Sequence, residues 1–334
     1  MTVRVIWVFA MSAATALLIA TQAPLATTVL GLMAFGVLHN VLELRYVAGR
    51  FASVLSGQLL AVLIGLITAI VLCRLAAIAV GQPARLAEII IGYAVLGAAC
   101  IAALRGPLLA LALTVLAVAA AGSLRWPAYH FVVLAHLHNV VPLFFLWEWA
   151  RRLPSVSVRR WFRAVQVGWV LVIPALLLTG VFDRYFGGVS SSVAAFAGNP
   201  RPIVAASAPP AAVASEMGVR LLVVFAFLQT MHYFVWVAFL PRHAPDAARA
   251  FEARAPWFTG RRAWALGAGL GAALAVLFAI DYASGKALYA AFASYHAYLE
   301  FPVLIAVLLG LKHATDQSHA SGMPLPVAAE LAAQ

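Results

Sequence analysis

Apolar stretches of similar length recur along almost the whole chain, separated by mostly short connections. A helix rising 1.5 Å per residue needs about 20 residues to cross the hydrocarbon core of a bilayer, which is about 30 Å thick. The stretches that meet this length are residues 3–20, 24–44, 52–80, 86–103, 107–123, 128–149, 161–182, 217–240, 263–281 and 287–311. The pattern predicts an all-α, polytopic transmembrane helical bundle of about 10 spans, because helices satisfy their own backbone groups in lipid.

Two connections are longer than the others. Residues 183–216, rich in Ala, Ser and Pro, are predicted as an irregular external loop, and residues 241–262, with five arginines, as a basic cytoplasmic loop. With the spans they form a single transmembrane domain over 1–316, which a disordered tail over 317–334 follows. The composition supports this assignment, since 65% hydrophobic and 10% charged residues lie outside the range of soluble chains. We expect an integral membrane protein of the plasma membrane, the inner membrane of a bacterium.

The net charge of +11 has an explanation in membrane orientation. With ten spans, 15 of the 22 lysines and arginines fall on one side of the membrane and 7 on the other. Cytoplasmic loops retain positive charge, so this split predicts that both termini are cytoplasmic. The same charges favour contact with anionic membrane lipids, and no nucleic-acid partner is predicted. The sequence leaves the oligomeric state open.

Histidines and glutamates inside the spans carry the candidate chemistry, because each is costly in hydrocarbon unless it faces a partner or a cavity. Six of the nine histidines lie in spans, and all six are on even-numbered ones. His39 with Glu43, and His296 with Glu300, are four residues apart and therefore share a helix face. At 1.5 Å per residue, these groups and His232 fall at similar depths near the membrane midplane. The sequence thus predicts one site built by four helices.

We assign metal-ligand roles to His39, His232 and His296, together with one of His136 and His138. The last two point about 200° apart on a helix, so both cannot face one centre. We favour His138, because Asn139 and Pro142 beside it predict a locally irregular, cavity-facing stretch. We expect His130 to lie at the interface between membrane and water. Asp281 is predicted to pair with Lys286.

Glu43 and Glu300 are the candidate catalytic carboxylates. Each could orient a ligand imidazole through its second ring N–H, or bind the metal directly. Imidazole and carboxylate donors suit Fe(II), Zn(II) or Mn(II), and the two cysteines, both in apolar runs, argue against an iron–sulfur or blue-copper site. Fe(II) is our first choice, with Zn or Cu as alternatives. The predicted function is a non-haem iron oxygenase or dioxygenase that uses O2 on a lipophilic substrate, such as a carotenoid or another isoprenoid.

Short motifs support this interpretation. The sequence "GVLHNVLE" around His39 is similar to the G-x-x-H-G-x-x-D motif of the Brp/Blh family of integral-membrane β-carotene dioxygenases. "AHLHN", "MHYFVWVAFLPRH" and "YHAYLE" follow in an order that resembles the same family. The resemblance implies a helical bundle that binds one iron through histidines of different helices and cleaves a polyene with O2. The matching positions are His39, His138 or His136, His232 and His296. Two departures are Asn40 in place of the motif's Gly and Glu43 in place of its Asp.

Two other classes of function fit the buried histidines. A haem b protein or quinol-linked redox module would use histidines on facing helices as axial ligands. A proton-coupled transporter would use buried His and Glu as a relay, and its helices would be broken, for which Pro142 and Pro302 are candidates.

Overall fold

The computed structural model describes residues 2–187 and 191–308, and all regular structure in these two ranges is helical. The long helices are α1 (Thr2–Gln22), α2 (Pro24–Arg50), α3 (Gly57–Val80), α4 (Gln82–Ala103), α5 (Gly106–Arg125), α6 (Pro127–Val140), α8 (Val156–Val167), α12 (Glu216–Tyr233), α15 (Gly260–Ile280) and α16 (Tyr282–Leu308). The short ones are α7 (Pro142–Trp149), α9 (Ile173–Leu178), α10 (Ser191–Ala197), α11 (Arg201–Ala205), α13 (Leu240–His243) and α14 (Pro245–Arg254). The predicted tail over 317–334 lies outside the described residues.

Nine segments of the described chain are long and apolar enough to cross a membrane. They are Arg4–Gln22, Pro24–Arg50, Gly57–Val80, Gln82–Ala103, Gly106–Arg125, Pro127–Arg152, Val156–Leu178, Glu216–His243 and Gly260–Ile280. These coincide with the first nine predicted spans, so the all-α, polytopic bundle is confirmed. The tenth predicted span falls on α16, which has 27 residues and borders the part of the chain that is not described.

Burial separates a central helix from lipid-facing ones. In the span that begins with α12, 67% of the most apolar stretch is buried, whereas in α5 none is. Large apolar side chains such as Ile78, Val118 and Ile280 are more than half exposed. A soluble protein does not leave so many such side chains in contact with water, and in a bilayer they face lipid tails. The chain is therefore an integral membrane protein whose polar residues gather around α12.

The helices α2 and α16 lie side by side, and their contacts define how the two are aligned. The pairs that adjoin one another, in order along both helices, are Gly36 with Tyr289, His39 with His296 and Glu43 with Glu300. Because the residue numbers of these pairs increase together along both helices, the two helices run in the same direction. Gly36 allows the close approach, since a Cβ atom there would lie 2.9 Å from the ring of Tyr289.

Both long connections contain more structure than the sequence predicted. The segment 183–216, which the sequence predicted as an external loop and which we call the external segment, is not simply irregular, because its described residues form α10 and α11. The basic segment 241–262 contains α14, which packs on α2 where Gly49 meets the carbonyl of Ala247; a Cβ atom on Gly49 would lie 2.0 Å from that oxygen. Asp246 on α14 accepts two hydrogen bonds from Arg152, at 2.6 and 2.8 Å. Salt bridges and close backbone contact thus hold this segment against the bundle.

Two helix irregularities lie near the polar centre. Pro142 has no backbone N–H to donate to the carbonyl of His138. Here α6 ends and α7 begins, in agreement with the irregular stretch that the sequence predicted. Pro302, in contrast, lies inside α16, which continues past it. After Tyr233, α12 passes into a π-helical segment, Phe234–Phe239, which the sequence did not reveal. Such π-segments often re-aim side chains at functional sites.

Candidate metal centre

Four histidines from four helices meet at one point of the bundle. His39 (α2), His138 (α6), His232 (α12) and His296 (α16) each present one ring nitrogen, and these four atoms lie within 4.8 Å of one another. Three of the side chains are almost wholly buried, with exposed fractions of 1%, 1% and 2% for His39, His232 and His296. The group could hold a metal ion, since neutral imidazole nitrogen is a common ligand of divalent transition metals.

Two of the rings are oriented by hydrogen bonds on the side away from the centre. His39 Nδ1–H donates to the carbonyl oxygen of Phe35, one turn earlier on α2, at 2.9 Å. His138 Nδ1–H donates to Oε2 of Glu300 at 2.8 Å. With Nδ1 protonated, a neutral imidazole carries its lone pair on Nε2. Both rings therefore offer Nε2 to the centre in the form that binds metals, and Glu300 occupies the orienting position that metal-site histidines commonly have.

The contact between His138 and His296 tests whether an ion fits. Their Nε2 atoms are 3.0 Å apart. Two nitrogen ligands about 2.1 Å from one ion, at right angles to each other, stand about 3.0 Å apart. Without an ion, one of the two nitrogens must carry a proton, since two lone pairs at this distance repel. The observed spacing fits two neighbouring ligands of a single ion.

His232 completes the ring of imidazoles. Its ring centre is 4.6 Å from that of His138 and 5.1 Å from that of His39. Neither of its nitrogens makes a hydrogen bond within the described residues, although the side chain is only 1% exposed. Leaving a buried polar atom without a partner costs about 1–3 kcal/mol, so such atoms are rare in stable proteins. A bound ion would satisfy one of these nitrogens.

Two buried carboxyl groups lie directly behind the imidazoles. Glu43 and Glu300 are both 0% exposed, and their carboxyl groups adjoin each other. Oε2 of Glu43 is also 3.7 Å from Nε2 of His232. Two neighbouring carboxylates in a water-poor interior repel unless a proton or a cation offsets their charge. The carboxyl pair therefore fits a cationic centre.

His136 is the one predicted ligand that the fold keeps away from the cluster. Its Nε2–H donates to the backbone carbonyl of Ser207 at 2.8 Å. Helical geometry explains the difference, because two residues along α6 turn the side chain by about 200°. His136 thus holds the external segment against the bundle, and its assignment as a metal ligand is not supported. His130 also lies apart, with Nδ1 3.1 Å from Ser123 Oγ.

A cavity of about 250 Å³ opens beside the cluster. All four histidines line it, and most of the remaining wall is apolar, including Leu32, Phe131 and Phe225. Ile203 and Ala206 of the external segment also line it. Tyr233, whose ring centre is 4.6 Å from that of His39, lines both this cavity and a second, apolar one of about 550 Å³ between α1, α2 and α12. The cluster therefore faces a largely apolar space.

One buried ion pair near the site was not predicted from the sequence. Arg74 of α3 also lines the cavity, and its Nε donates to Oε1 of Glu88 on α4 at 2.8 Å. A second guanidinium nitrogen donates to the carbonyl of Ala290 on α16 at 2.5 Å. Each charge stands alone in a long apolar span, which was a signal available in the sequence. Because Glu88 pairs with Arg74, this glutamate is not a further candidate ligand.

Comparison with family models, with curated proteins and with solved structures gave no match to this chain. The resemblance to the Brp/Blh family stays a prediction.

Proposed function

We propose that this protein is a non-haem iron oxygenase, with Fe(II) held by His39, His138, His232 and His296. The observation that carries the proposal is the convergence of four buried imidazole nitrogens within 4.8 Å beside a largely apolar cavity. Iron bound by imidazoles with open coordination positions reacts with O2, which is the chemistry the group would supply here. Zn or Cu would fit the same donors, so metal analysis has to decide between them.

The arrangement favours a single ion over a haem. Haem b takes two axial histidines on opposite faces of a porphyrin, which needs an open plane between them. Here the ring centres of neighbouring histidines are only 4.6–5.1 Å apart, which leaves no room for a porphyrin plane between them, and the two other imidazoles lie between the members of each opposite pair. A porphyrin would have to displace them. A proton relay is the other interpretation of the buried His and Glu residues, and a relay requires no bound metal.

The side chains around the centre have separate tasks. Glu300 orients His138, and the Phe35 carbonyl orients His39, so both rings present Nε2 without rearrangement. The apolar cavity wall excludes water and favours a lipophilic substrate, which reaches the protein from the surrounding bilayer. Tyr233, between the cavity and the second apolar space, lies where such a molecule would pass.

Cleavage of a carbon–carbon double bond is an oxygenase reaction that needs no separate electron donor. The double bond breaks, and each carbon receives one oxygen atom of O2 as a carbonyl group, so atoms and electrons balance without a further reductant. A hydroxylation would consume two additional electrons from a partner. We therefore propose a dioxygenase of polyenes, with carotenoids or other isoprenoids as the substrate class, in the inner membrane of a bacterium.

Two histidines on one helix provide the matched test. Protein purified in detergent would be analysed for metals by plasma mass spectrometry, with an optical spectrum, as wild type, His138→Ala and His136→Ala. We expect near-stoichiometric iron without a Soret band in wild type, its loss in His138→Ala, and its retention in His136→Ala. Equal metal content in both variants would refute the site. A Soret band would indicate haem, and a metal-free protein after iron-replete growth would favour the proton relay.

The reaction itself has an isotopic test. Metal-loaded protein incubated with a carotenoid under ¹⁸O₂ should yield carbonyl products that carry the label, and His138→Ala should yield none. Hydroxylated products, or unlabelled carbonyls formed equally well by His138→Ala, would overturn the dioxygenase proposal.

A further inference from the structure

One face of α16 runs along the cavity from its first turn to the four histidines. Tyr282, Lys286, Tyr289, Ala293 and His296 all line it. Lys286 precedes His296 by ten residues, which corresponds to about 15 Å along the helix axis. The cavity therefore extends from the histidine cluster along α16 to Lys286 and the first turn of the helix.

Lys286 carries a charge for which the described chain offers no partner. The sequence predicted an ion pair with Asp281, but that carboxylate accepts hydrogen bonds from Ser284 Oγ and from the backbone N–H of Ala283 instead. No hydrogen bond or salt bridge to Lys286 is formed by the residues in 2–187 and 191–308. A lysine near a helix end ordinarily extends its ammonium group towards the water interface. Lys286 is near such a helix end, is half-buried and also lines the cavity.

Two hydrogen-bonding oxygens on the facing helices are also without partners. Thr28 Oγ1 on α2 and Gln229 Oε1 on α12 are buried, with exposed fractions of 7% and 6% for their residues, and both residues line the cavity. The Gln229 amide is fixed by its other end, because Nε2 donates to Tyr233 Oη at 2.7 Å. Nε2 is also 3.4 Å from the Thr28 carbonyl, so the two side chains are neighbours.

The parallel course of α2 and α16 places Thr28 at the level of Lys286. Thr28 precedes His39 by eleven residues, and Lys286 precedes His296 by ten. Since His39 and His296 adjoin each other, both polar residues lie about 15 Å from the cluster along their helices. Gln229 lies nearer the cluster, three residues before His232, and its side chain reaches the Thr28 carbonyl. We call Thr28, Gln229 and Lys286 the polar subsite.

We propose that the polar subsite binds a hydroxyl group at one end of the substrate, while a double bond about 15 Å along the molecule lies at the histidine cluster. A hydroxyl oxygen accepts from the Lys286 ammonium group, and its O–H donates to Gln229 or Thr28. A hydrocarbon end would leave all three polar groups without partners, which is unfavourable in a buried site. The distance is close to that between the hydroxylated ring of a carotenoid and its central double bond. This proposal deepens the proposed function and rests on it.

The cavity size is consistent with one end of a long molecule. At about 250 Å³ it is smaller than the ~300–1,000 Å³ of pockets that enclose a drug-sized ligand. The enclosed part would hold the hydroxylated half, and the other half would pass Tyr233 into the second, apolar cavity of about 550 Å³.

A matched pair of ligands tests the proposal by binding alone. Dissociation constants for zeaxanthin and for β-carotene, which lacks the hydroxyl groups, would be measured by fluorescence quenching on detergent-purified, metal-loaded protein without O2. We expect wild type to bind zeaxanthin at least about tenfold more tightly, because a hydrogen bond to a charged group is lost in the hydrocarbon. Lys286→Met should lose this preference, and Thr28→Val should reduce it. Lys312→Met, which replaces the only other lysine in the sequence, should keep it.

Each outcome has a definite meaning. Equal affinity of wild type for both carotenoids, or an unchanged preference in Lys286→Met, would overturn the polar subsite. The same titration on His138→Ala separates this result from the oxygenase proposal. If wild type proves to contain no iron but the preference persists and depends on Lys286, the subsite stands and the oxygenase proposal fails. If iron is present and the preference is absent, the reverse holds.

Discussion

Replacing Glu300 by Gln tests whether this carboxylate orients a ligand of the proposed metal centre. Glu300 is fully buried, and its Oε2 accepts the Nδ1–H of His138 at 2.8 Å. Glutamine keeps the size and one oxygen acceptor but removes the negative charge. The His138 imidazole then loses a charge-assisted hydrogen bond and becomes a weaker donor to the metal.

The size of the effect follows from this single contact. Loss of an orienting carboxylate behind a metal-bound histidine weakens metal binding by about 10–100-fold. Since a factor of ten corresponds to about 1.4 kcal/mol, the expected loss is about 1.4–2.8 kcal/mol. The lower end is expected for Glu300→Gln, because the amide oxygen can still accept the His138 proton.

Competition with a chromophoric Fe(II) chelator, under anaerobic conditions in detergent, would measure the affinity. Glu148→Gln is the matched control, since Glu148 is also buried, at 7% exposed, but pairs with Arg50 at 2.5 Å away from the histidines. It should lower thermal stability and leave iron affinity unchanged. An unchanged affinity in folded Glu300→Gln protein, or an equal loss in both variants, would refute the orienting role.

Three further outcomes are expected. Alanine at His39, His232 or His296 should remove bound iron without preventing membrane insertion, whereas His243→Ala should retain it; metal analysis of each variant decides. His136→Ala should make the external segment more accessible to protease, because its hydrogen bond to Ser207 is lost; an unchanged cleavage rate would contradict this. Hydrogen bonds from Ser284 Oγ and from the Ser284 and Ala283 backbone hold the pKa of Asp281 below its usual value. Its stabilisation is therefore present at neutral pH and lost as the pH falls through that lowered pKa, so acid should reduce the thermal stability of wild type more than that of Asp281→Ala.

The sequence determined the membrane bundle and most of the donor set. Periodic apolar length is a local property, set by the match between helix rise and bilayer thickness, so nine spans could be located without any tertiary information. The cost of polar groups in lipid then singled out His39, His232 and His296. Helical rotation further separated His138 from His136, since one residue at most could face a common centre.

Only the tertiary structure decided which of these residues meet, and what else meets them. The carboxyl group of Glu300 turns to a histidine on another helix, His138, because the register between α6 and α16 places them together. The same holds for Arg74: its charge in an apolar span was visible in the sequence, but only the packing of α3 against α4 and α16 places it beside the cavity. Lys286 was expected to pair with Asp281, but Asp281 accepts a hydrogen bond from Ser284 instead, and Lys286 is among the residues that line the cavity. Contacts of this kind depend on how helices pack and rotate against one another, and local hydrophobicity carries little information about either.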